Sequence, residues 1–453
     1  MKLVTLLSAI AIGFATQAQL SPAITSWLQN DTETGTYYTS GNSTPIANNI
    51  LVNCQKVEYS ADFVYVSSTG VPSYPTGPFL DGNPSNATNQ DAIFKIPLDP
   101  QPNTGTLQES NPGNIGVFIN GVALFDYRDG VAWNPSTGEL CGGPGNTQCP
   151  GGPGAVNAWN RDAIPAERGG FDCAKGHPAM GNYHHHQNPS AFKLDLQVVS
   201  DICNLYDAEG LYAIDSLAHS PLIGYAYDGF PIYGAYGFAN ANGTGGVTRI
   251  MSGYALRNNV QRTHHADGTD VADGPDVDAT YFDGYFREDY EFIASTDEDV
   301  LDKHNGRFSV TPEYPNGIYC YFATVDENWN SAYPYVVGPT FYGNATNRKV
   351  TSVDETTTEY SYLALAEDNL NEMNITVFPN PASELVAVQI NSLLKSNTKI
   401  ALVDATGKVV QEKIISAGST IAYFDIQTVY DGVYFVKISN GVSQHTTKVL
   451  VLR

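Results

Sequence analysis

Short runs of alternating apolar and polar residues recur along most of the chain, separated by clusters of glycine, proline, asparagine and aspartate. Two clear examples are residues 57–59 and residues 63–66. An alternation with a period of two places every second side chain on one face, as in a half-buried β-strand. The pattern therefore predicts a mainly β protein built from short strands and turns, and it argues against a helical bundle.

The amino-acid composition divides the chain into three regions after its N-terminal segment. Residues 19–350 are rich in tyrosine, glycine and aspartate, and we expect one large β-rich domain with long loops. Residues 351–373 are rich in threonine and acidic residues and predict a linker. Residues 374–453 contain several further β-type runs, with Gly407 placed for a tight hairpin, and predict a small β-sandwich.

The N-terminus has the pattern of a secretory signal peptide. Lys2 precedes an apolar run from Leu3 to Phe14, and small residues stand at Thr16 and Ala18. We therefore predict that residues 1–18 are removed after export. The apolar run is shorter than the roughly 20 residues that cross a bilayer, and no membrane-spanning segment is predicted.

Charge and cysteine content narrow the class of protein further. The formal net charge is −24, which makes nucleic acid and anionic lipid poor partners. Six cysteines in an exported chain indicate disulfides. Cys141 and Cys149 flank a short glycine-rich loop and form the best local pair, whereas the other four cysteines allow three pairings that the sequence leaves open.

Three stretches in the last region carry a family resemblance. They are Phe378-Pro379-Asn380-Pro381, residues 404–408 and residues 430–434. Together they resemble the C-terminal sorting domain of the type IX secretion system. The resemblance implies an immunoglobulin-like sandwich, the type IX secretion machinery as a partner, and a secreted or outer cell-surface location reached through the periplasm. An ordinary terminal β domain for binding is the alternative.

The histidines are concentrated in one part of the chain, since eight of the nine lie between His177 and His304. If residues 183–187 are extended, His184 and His186 share a face, with Cα atoms about 6–7 Å apart. Two imidazoles at that spacing can converge on one cation with bonds of about 2.0–2.1 Å. His185 then points to the opposite side, and His177 can fold back across the Pro-Ala-Met-Gly turn as a third ligand.

This pattern predicts a transition-metal site formed by His177, His184 and His186. Imidazole is a ligand for both copper and zinc, so the sequence leaves the metal open. Hydrogen-bonded structural histidines or a solvated patch are the alternatives. His219 and His304 are candidate outer partners, and His264 and His265 lie in a polar loop where we expect them to be solvated.

Residues 19–350, called the body below, also resemble a known family. Residues 171–186, 223–234, 305–315 and 333–340 are similar, in this order, to the YHYH-domain proteins, which are named for a Tyr-His-Tyr-His motif. This chain departs from the motif at His185, which stands where the family has its second tyrosine. The resemblance implies no defined chemistry, so the metal hypothesis rests on the alternation of the histidines.

Several carboxylates outside the histidine cluster are further candidates for chemistry. Glu313 is the best-placed general base if the protein is a hydrolase, and Asp228 is either a turn residue or an acceptor for a ligating imidazole. The acidic loop 267–278 makes calcium a second candidate cation, although it lacks the spacing of an EF-hand. The motifs of serine hydrolases, P-loop proteins and dinucleotide-binding proteins are absent from the sequence.

Three functions therefore remain open. The leading hypothesis is a secreted or cell-surface protein that binds copper or zinc through its histidine cluster. The second is an extracellular metal-dependent hydrolase that acts on polysaccharide or peptide, with catalytic residues that the sequence does not identify. The third is a non-catalytic surface binding or adhesion protein in which the histidines only pack.

Overall fold

The structure is a computed structural model, and it describes the chain from residue 20 onward with internal gaps. The described residues are 20–80, 85–143, 145–152, 156–195, 201–206, 208–345, 348–360, 370, 373–390, 394, 398–415, 420–440 and 443–453. The predicted signal peptide lies outside them, as does part of the predicted linker. Within them the fold is mainly β, which confirms the predicted class.

The body begins with a single helical turn and continues with strands and a second short helix. These described elements are α1 (Pro22–Thr25), β1 (Thr34–Thr39), β2 (Asn42–Leu51), β3 (Cys54–Tyr59), β4 (Phe63–Ser68), β5 (Ala92–Pro97), β6 (Asn114–Phe118), β7 (Ala123–Phe125), β8 (Arg128–Asn134), β9 (Glu139–Cys141), β10 (Asn160–Asp162), α2 (Ala163–Glu167), β11 (His177–Ala179), β12 (Asn182–His185), β13 (Leu222–Ala226) and β14 (Pro231–Tyr233).

Shorter strands follow, and the C-terminal region adds longer ones. These described elements are β15 (Tyr236–Phe238), β16 (Val247–Arg249), β17 (Tyr254–Leu256), β18 (Tyr290–Phe292), β19 (Gly306–Ser309), β20 (Ile318–Phe322), β21 (Lys349–Val350), β22 (Thr358–Tyr360), β23 (Ile375–Phe378), β24 (Leu385–Ile390), β25 (Thr398–Asp404), β26 (Val409–Ile415), β27 (Ile421–Asp425), β28 (Gly432–Ser439) and β29 (Gln444–Val451). Single 3-10 turns occur at Arg168–Gly170, Phe192–Leu194, Asp201–Asn204 and Arg287–Asp289.

Among these elements, the largest sheet holds eight strands in the order β11-β12-β7-β6-β13-β14-β20-β19. β13 lies in its middle, and all five residues of Leu222–Ala226 are buried. A strand covered on both faces is expected to be apolar throughout, and this one is. The histidine motif forms the β11–β12 edge of the sheet.

A second sheet of the body has the order β21-β5-β4-β3-β22. Its last strand, Thr358–Tyr360, pairs antiparallel with β3, although these residues belong to the segment that the sequence predicts as a linker. One apolar core extends from Ala23 to Ala345 and includes buried residues of both sheets. The body is therefore held together by packing between the two sheets.

The cysteines divide between disulfides and buried thiols. The predicted pair Cys141–Cys149 is present, and Cys173 is bonded to Cys203. The remaining cysteines stay unpaired because they lie in different sheets, one in β3 and one in β20; these residues are Cys54 and Cys320. Burial raises the pKa of the Cys320 thiol to about 12, so it stays protonated at neutral pH.

The C-terminal region packs around a core of its own. Its described strands form two sheets, β23-β24-β27 and β26-β25-β28-β29. The predicted hairpin is present between β25 and β26, where Gly407 has a φ of 87°. Tyr423 and Thr420 donate hydrogen bonds to the carbonyl groups of Glu209 and Leu211, at 2.8 and 3.1 Å, and so join this region to the body. The immunoglobulin-like topology stays a prediction.

Candidate metal centre

The histidine motif is carried by a tight hairpin. β11 and β12 pair antiparallel so that His177 stands opposite His184, with Met180 and Gly181 in the turn. Met180 has a φ of 50° and Gly181 a φ of 86°. Positive φ at both central residues matches the twist of the flanking strands in a two-residue hairpin. The turn thus brings His177 back beside the His184–His186 segment, as the sequence predicts.

Successive side chains from β12 take opposite directions. His185 lies with its Nε2 atom 2.7 Å from the Tyr74 hydroxyl and its Nδ1 atom 3.1 Å from a backbone carbonyl oxygen, and it is fully buried. His184 and His186 instead join His177 in a group whose candidate ligand atoms all lie within 4.8 Å of one another. The expected convergence of these three rings is confirmed, and metal binding by them stays a prediction.

Backbone carbonyl groups define the protonation of two of the rings. The Nδ1 atom of His184 lies 2.9 Å from the carbonyl oxygen of Asn182, and that of His186 lies 2.5 Å from the carbonyl oxygen of Asp126. A carbonyl oxygen only accepts hydrogen bonds, so each Nδ1 must carry the proton. In the neutral rings each Nε2 atom therefore presents a lone pair, which is the form that binds a metal.

The two lone pairs face each other. The Nε2 atoms of His184 and His186 are 3.1 Å apart, and the ring centroids of His177 and His184 are 4.6 Å apart. Two unprotonated nitrogen atoms at this distance cannot form a hydrogen bond, because neither has a proton to donate. Two such lone pairs repel each other unless a proton or a cation lies between them.

Burial keeps the rings neutral. His177, His184 and His186 are 7%, 2% and 4% exposed. Burial, together with the neighbouring imidazoles, holds the pKa of His184 well below the usual value for histidine. The pKa of His186 is also lowered, mainly by burial, although the nearby carboxylate of Glu167 opposes the shift. His184 and His186 are therefore held in the neutral form, in which each ring can offer a nitrogen lone pair.

Aromatic side chains surround the cluster. The ring of Phe125 stacks on His184, with centroids 3.8 Å apart and planes inclined by 18°. Phe171 contacts His177 edge to face at 4.9 Å. Such contacts limit rotation of the imidazoles and exclude water from their faces. The aromatic contacts therefore help to fix the orientation of the imidazole rings.

Glu167, at the end of α2, is the residue of this site that the sequence analysis missed. Its Oε2 atom lies 3.3 Å from Nε2 of His177 and 3.4 Å from Nε2 of His186. Burial opposes its ionisation, but the neighbouring His177 and His186 side chains outweigh that effect, so its pKa is lowered. No local spacing signals this contact, because Glu167 belongs to a different element.

The loop before the hairpin is fixed by a buried carboxylate. Asp172 accepts hydrogen bonds from the Tyr183 hydroxyl at 2.9 Å and from the backbone N–H groups of Gly77 and Gly176 at 2.9 and 3.1 Å. Burial raises the pKa of Asp172 to about 7 in spite of these bonds. Tyr183, the tyrosine that precedes the histidines, thus holds the segment that leads into His177.

The other candidate histidines have separate surroundings. His219 bonds the carbonyl oxygen of Ser220 at 2.7 Å, and His304 bonds that of Thr340 at 2.9 Å. Neither belongs to the group of three, so the structure does not bring them to it as outer partners. In the loop predicted to be solvated, His264 is exposed, whereas His265 bonds a backbone carbonyl oxygen at 2.8 Å and is half-buried.

The remaining candidates also lie in networks of their own. Asp228 accepts hydrogen bonds from Tyr321 at 2.6 Å and from the backbone N–H of Gly343 at 2.8 Å, which matches the structural alternative. The carboxylate of Glu313 accepts a hydrogen bond of 2.8 Å from the Tyr233 hydroxyl. In the acidic loop, Asp267 accepts a hydrogen bond from a backbone N–H two residues on, as in an Asx turn. Calcium binding there stays a prediction.

Comparison with known families now assigns both parts of the chain. The model of the YHYH protein family matches residues 93–335, which is more than half of the chain and includes the whole histidine cluster. The chain belongs to the YHYH protein family. The model of the secretion system C-terminal sorting domain matches residues 376–452. Both resemblances inferred from the sequence are confirmed.

The sorting domain defines the route of this YHYH protein. It marks the chain as a substrate of the type IX secretion system, exported to the cell surface or beyond. Within the described residues we find no helix with the length and hydrophobicity needed to cross a bilayer.

Similarity of the chain to proteins outside these two families is weak. No curated protein matches the chain. Among solved structures, PorZ, a surface component of the type-IX secretion system of Porphyromonas gingivalis, aligns with 12% identity and a TM-score of 0.17. The alignment covers 91% of this chain and 53% of that one, so the chain spans about half the length of PorZ. A likeness this low supports no inference about fold or function.

Proposed function

We propose that the YHYH domain binds one transition-metal ion, copper or zinc, through the Nε2 atoms of His177, His184 and His186, in a protein exported to the cell surface or beyond. The single supporting observation is the 3.1 Å approach of two buried Nε2 atoms whose protons lie on Nδ1. A cation bonded to both lone pairs removes their repulsion, and the third ring stands close enough to join it.

The donor set narrows the choice of ion. Neutral imidazole suits zinc and copper, whereas calcium and magnesium take oxygen ligands. Because the protons of His184 and His186 are held by backbone carbonyl groups, the free nitrogens are oriented before an ion arrives. Carbonyl acceptors of this kind are the usual outer partners of metal-bound histidines.

The metal content of the purified full chain tests the proposal. After expression with export to the periplasm, we expect about one equivalent of copper or zinc per chain by elemental analysis. The double variant His184→Ala, His186→Ala should retain none. His185→Gln should retain most of the metal, because His185 bonds Tyr74 and a backbone carbonyl oxygen instead.

His304→Gln is the matched control. His304 is 6% exposed and, like His184 and His186, bonds a backbone carbonyl oxygen through Nδ1, yet it lies outside the group of three. Its replacement should leave the metal content unchanged. Equal metal retention in the wild type and the double variant, or equal loss in all three variants, contradicts the proposal.

A further inference from the structure

We infer that Glu167 is the fourth ligand of this metal and closes its coordination shell on the side that faces solvent. The inference rests on the proposed function of the three histidines, and it adds a residue from a separate element. It also defines the class of site, because a metal with four protein ligands has no position left for substrate or water.

Distances place Glu167 among the ligands. On a tetrahedral ion with bonds of about 2.0–2.1 Å, neighbouring ligand atoms are about 3.4 Å apart. The Oε2 atom of Glu167 lies 3.3 Å from Nε2 of His177 and 3.4 Å from Nε2 of His186. The carboxylate oxygen therefore stands at ligand spacing from two of the three nitrogen atoms that the histidines would offer to the ion.

One segment of backbone holds both Glu167 and its histidine neighbour. The carbonyl oxygen of Asp126 accepts the Nδ1–H of His186 at 2.5 Å. The next carbonyl oxygen, that of Tyr127, accepts the backbone N–H of Ala163 at 2.7 Å, where α2 begins. Adjacent peptide groups therefore position His186, directly after β12, and the short helix that ends at Glu167.

The start of α2 is fixed on further sides. The carboxylate of Asp162 caps the helix by accepting the backbone N–H of Ile164 at 2.9 Å, and it accepts the Tyr335 hydroxyl at 2.5 Å. Just before it, Arg161 forms an ion pair with Asp129 at 2.5 Å. A helix of five residues anchored in this way carries its last side chain to a defined place.

Exposure assigns Glu167 to the outer side of the site. Its side chain is 24% exposed, against 8% for His177 and 4% for His186. The Oε2 atom that faces the histidines is itself buried, so the exposed part of the side chain covers it from solvent. The negative charge also offsets part of the charge of a divalent ion, which three neutral imidazoles do not.

The experiment uses the full chain freed of metal and then loaded with cobalt(II), whose visible absorption reports coordination number, and with zinc for affinity. Glu167→Gln keeps the size of the side chain and removes its charge. We expect zinc affinity to fall by at least about tenfold and the cobalt absorption to change in intensity. Glu313→Gln is the control, because Glu313 is a half-buried glutamate that bonds Tyr233 outside the triad.

Azide provides a second readout. It should leave the cobalt spectrum of the wild type unchanged, because no coordination position is open, and it should shift the spectrum of Glu167→Ala. A crystal structure of the zinc-loaded wild type shows whether Glu167 coordinates the ion, even if the variants fold poorly. The inference expects a bond of about 2.0–2.2 Å from the ion to Glu167.

The outcomes separate the two proposals. Suppose that the wild type binds metal, that the histidine double variant does not, and that Glu167→Gln matches the wild type in affinity and in spectrum. That result refutes Glu167 as the fourth ligand and leaves the histidine site in place. A wild-type spectrum that responds to azide refutes it as well. If the wild type binds no metal, the proposed function fails, and this inference with it.

Discussion

His177 stands directly opposite His184 in the ladder between β11 and β12. The relative position of two proposed ligands therefore depends on the register of one short hairpin. That register depends in turn on the turn at Met180 and Gly181, because a strand that slips by one residue presents every side chain on the other face. The turn residues are consequently expected to control the proposed metal site without contacting its ligand atoms.

Gly181→Ala should weaken both the fold and metal retention. Gly181 has a φ of 86°, and a Cβ atom there would lie 2.2 Å from Oγ1 and 3.2 Å from Cβ of Thr88. The left-handed backbone alone costs about 1–2 kcal/mol for a residue with a Cβ. Rotation of Thr88 does not relieve the contact with its Cβ. Chemical unfolding and elemental analysis of the purified variant measure the two effects.

Gly41→Ala supplies the control for backbone strain. Gly41 has a φ of 78°, but a Cβ atom there would meet nothing within 4 Å. We expect a loss of about 1–2 kcal/mol in unfolding free energy and full metal content. If Gly181→Ala behaves like Gly41→Ala in both measurements, the turn does not control the site.

Phe125→Leu should lower metal affinity by roughly tenfold, as replacing a residue that supports a ligand usually does. The Phe125 ring stacks on His184 at 3.8 Å and keeps that imidazole oriented, and leucine retains bulk without a flat face. Competition titration with a zinc chelator measures the change. Phe238→Leu is the matched control, because Phe238 packs on His219 at 4.8 Å, outside the triad. Equal affinities in the two variants would show that stacking is unimportant.

The sequence predicts those parts of the site that depend on local geometry. His184 and His186 converge because alternate residues of an extended segment share a face, and His177 joins them through a turn of two residues. The same reasoning identified the Cys141–Cys149 pair, which closes a short loop. In each case few residues separate the partners, so the chain has few alternative arrangements.

Contacts between distant segments were not predictable. Glu167 reaches the histidines because carbonyl groups of residues 126 and 127 hold both His186 and the start of α2. Likewise, Cys54 and Cys320 stay unpaired because they belong to different sheets, and sequence spacing carries no information on which strands become neighbours. Tertiary pairing, not local propensity, decides these features.

Arg262→Met should destabilise the body by about 3–5 kcal/mol, because it leaves a buried carboxylate without its partner. Arg262 binds both oxygens of Asp289, at 2.7 and 2.8 Å, and both side chains are fully buried. Its guanidinium also donates to backbone carbonyl groups of the long loop between β17 and β18. Urea unfolding measures the loss.

Arg249→Met is the control for that variant. Among the described residues, the guanidinium of Arg249 donates to one backbone carbonyl oxygen, that of Val325, at 2.9 Å. We expect it to cost about 1 kcal/mol, the usual net value of one hydrogen bond. Equal losses in the two variants would mean that the buried ion pair has no special role in the loop.

His219 should make the body less stable as the pH falls. Burial lowers its pKa to about 4, partly opposed by the bond to the Ser220 carbonyl oxygen, whereas an unfolded histidine titrates near 6.5. Between these values the unfolded chain binds a proton that the folded chain does not, so acid favours unfolding. The neutral, buried His219 therefore contributes up to about 3 kcal/mol to the free energy of unfolding. This contribution is fully present above pH ~6.5 and is lost by pH ~4.

Comparison with His219→Gln isolates this contribution from the other titrating groups. Urea unfolding of both metal-free proteins from about pH 7.5 to about pH 4 should show the wild type losing up to about 3 kcal/mol relative to the variant, with a constant difference above pH ~7. Because His219 lies outside the group of three histidines, the result is independent of metal binding. Parallel curves across the whole range would mean that His219 is protonated in the folded chain as readily as in the unfolded one.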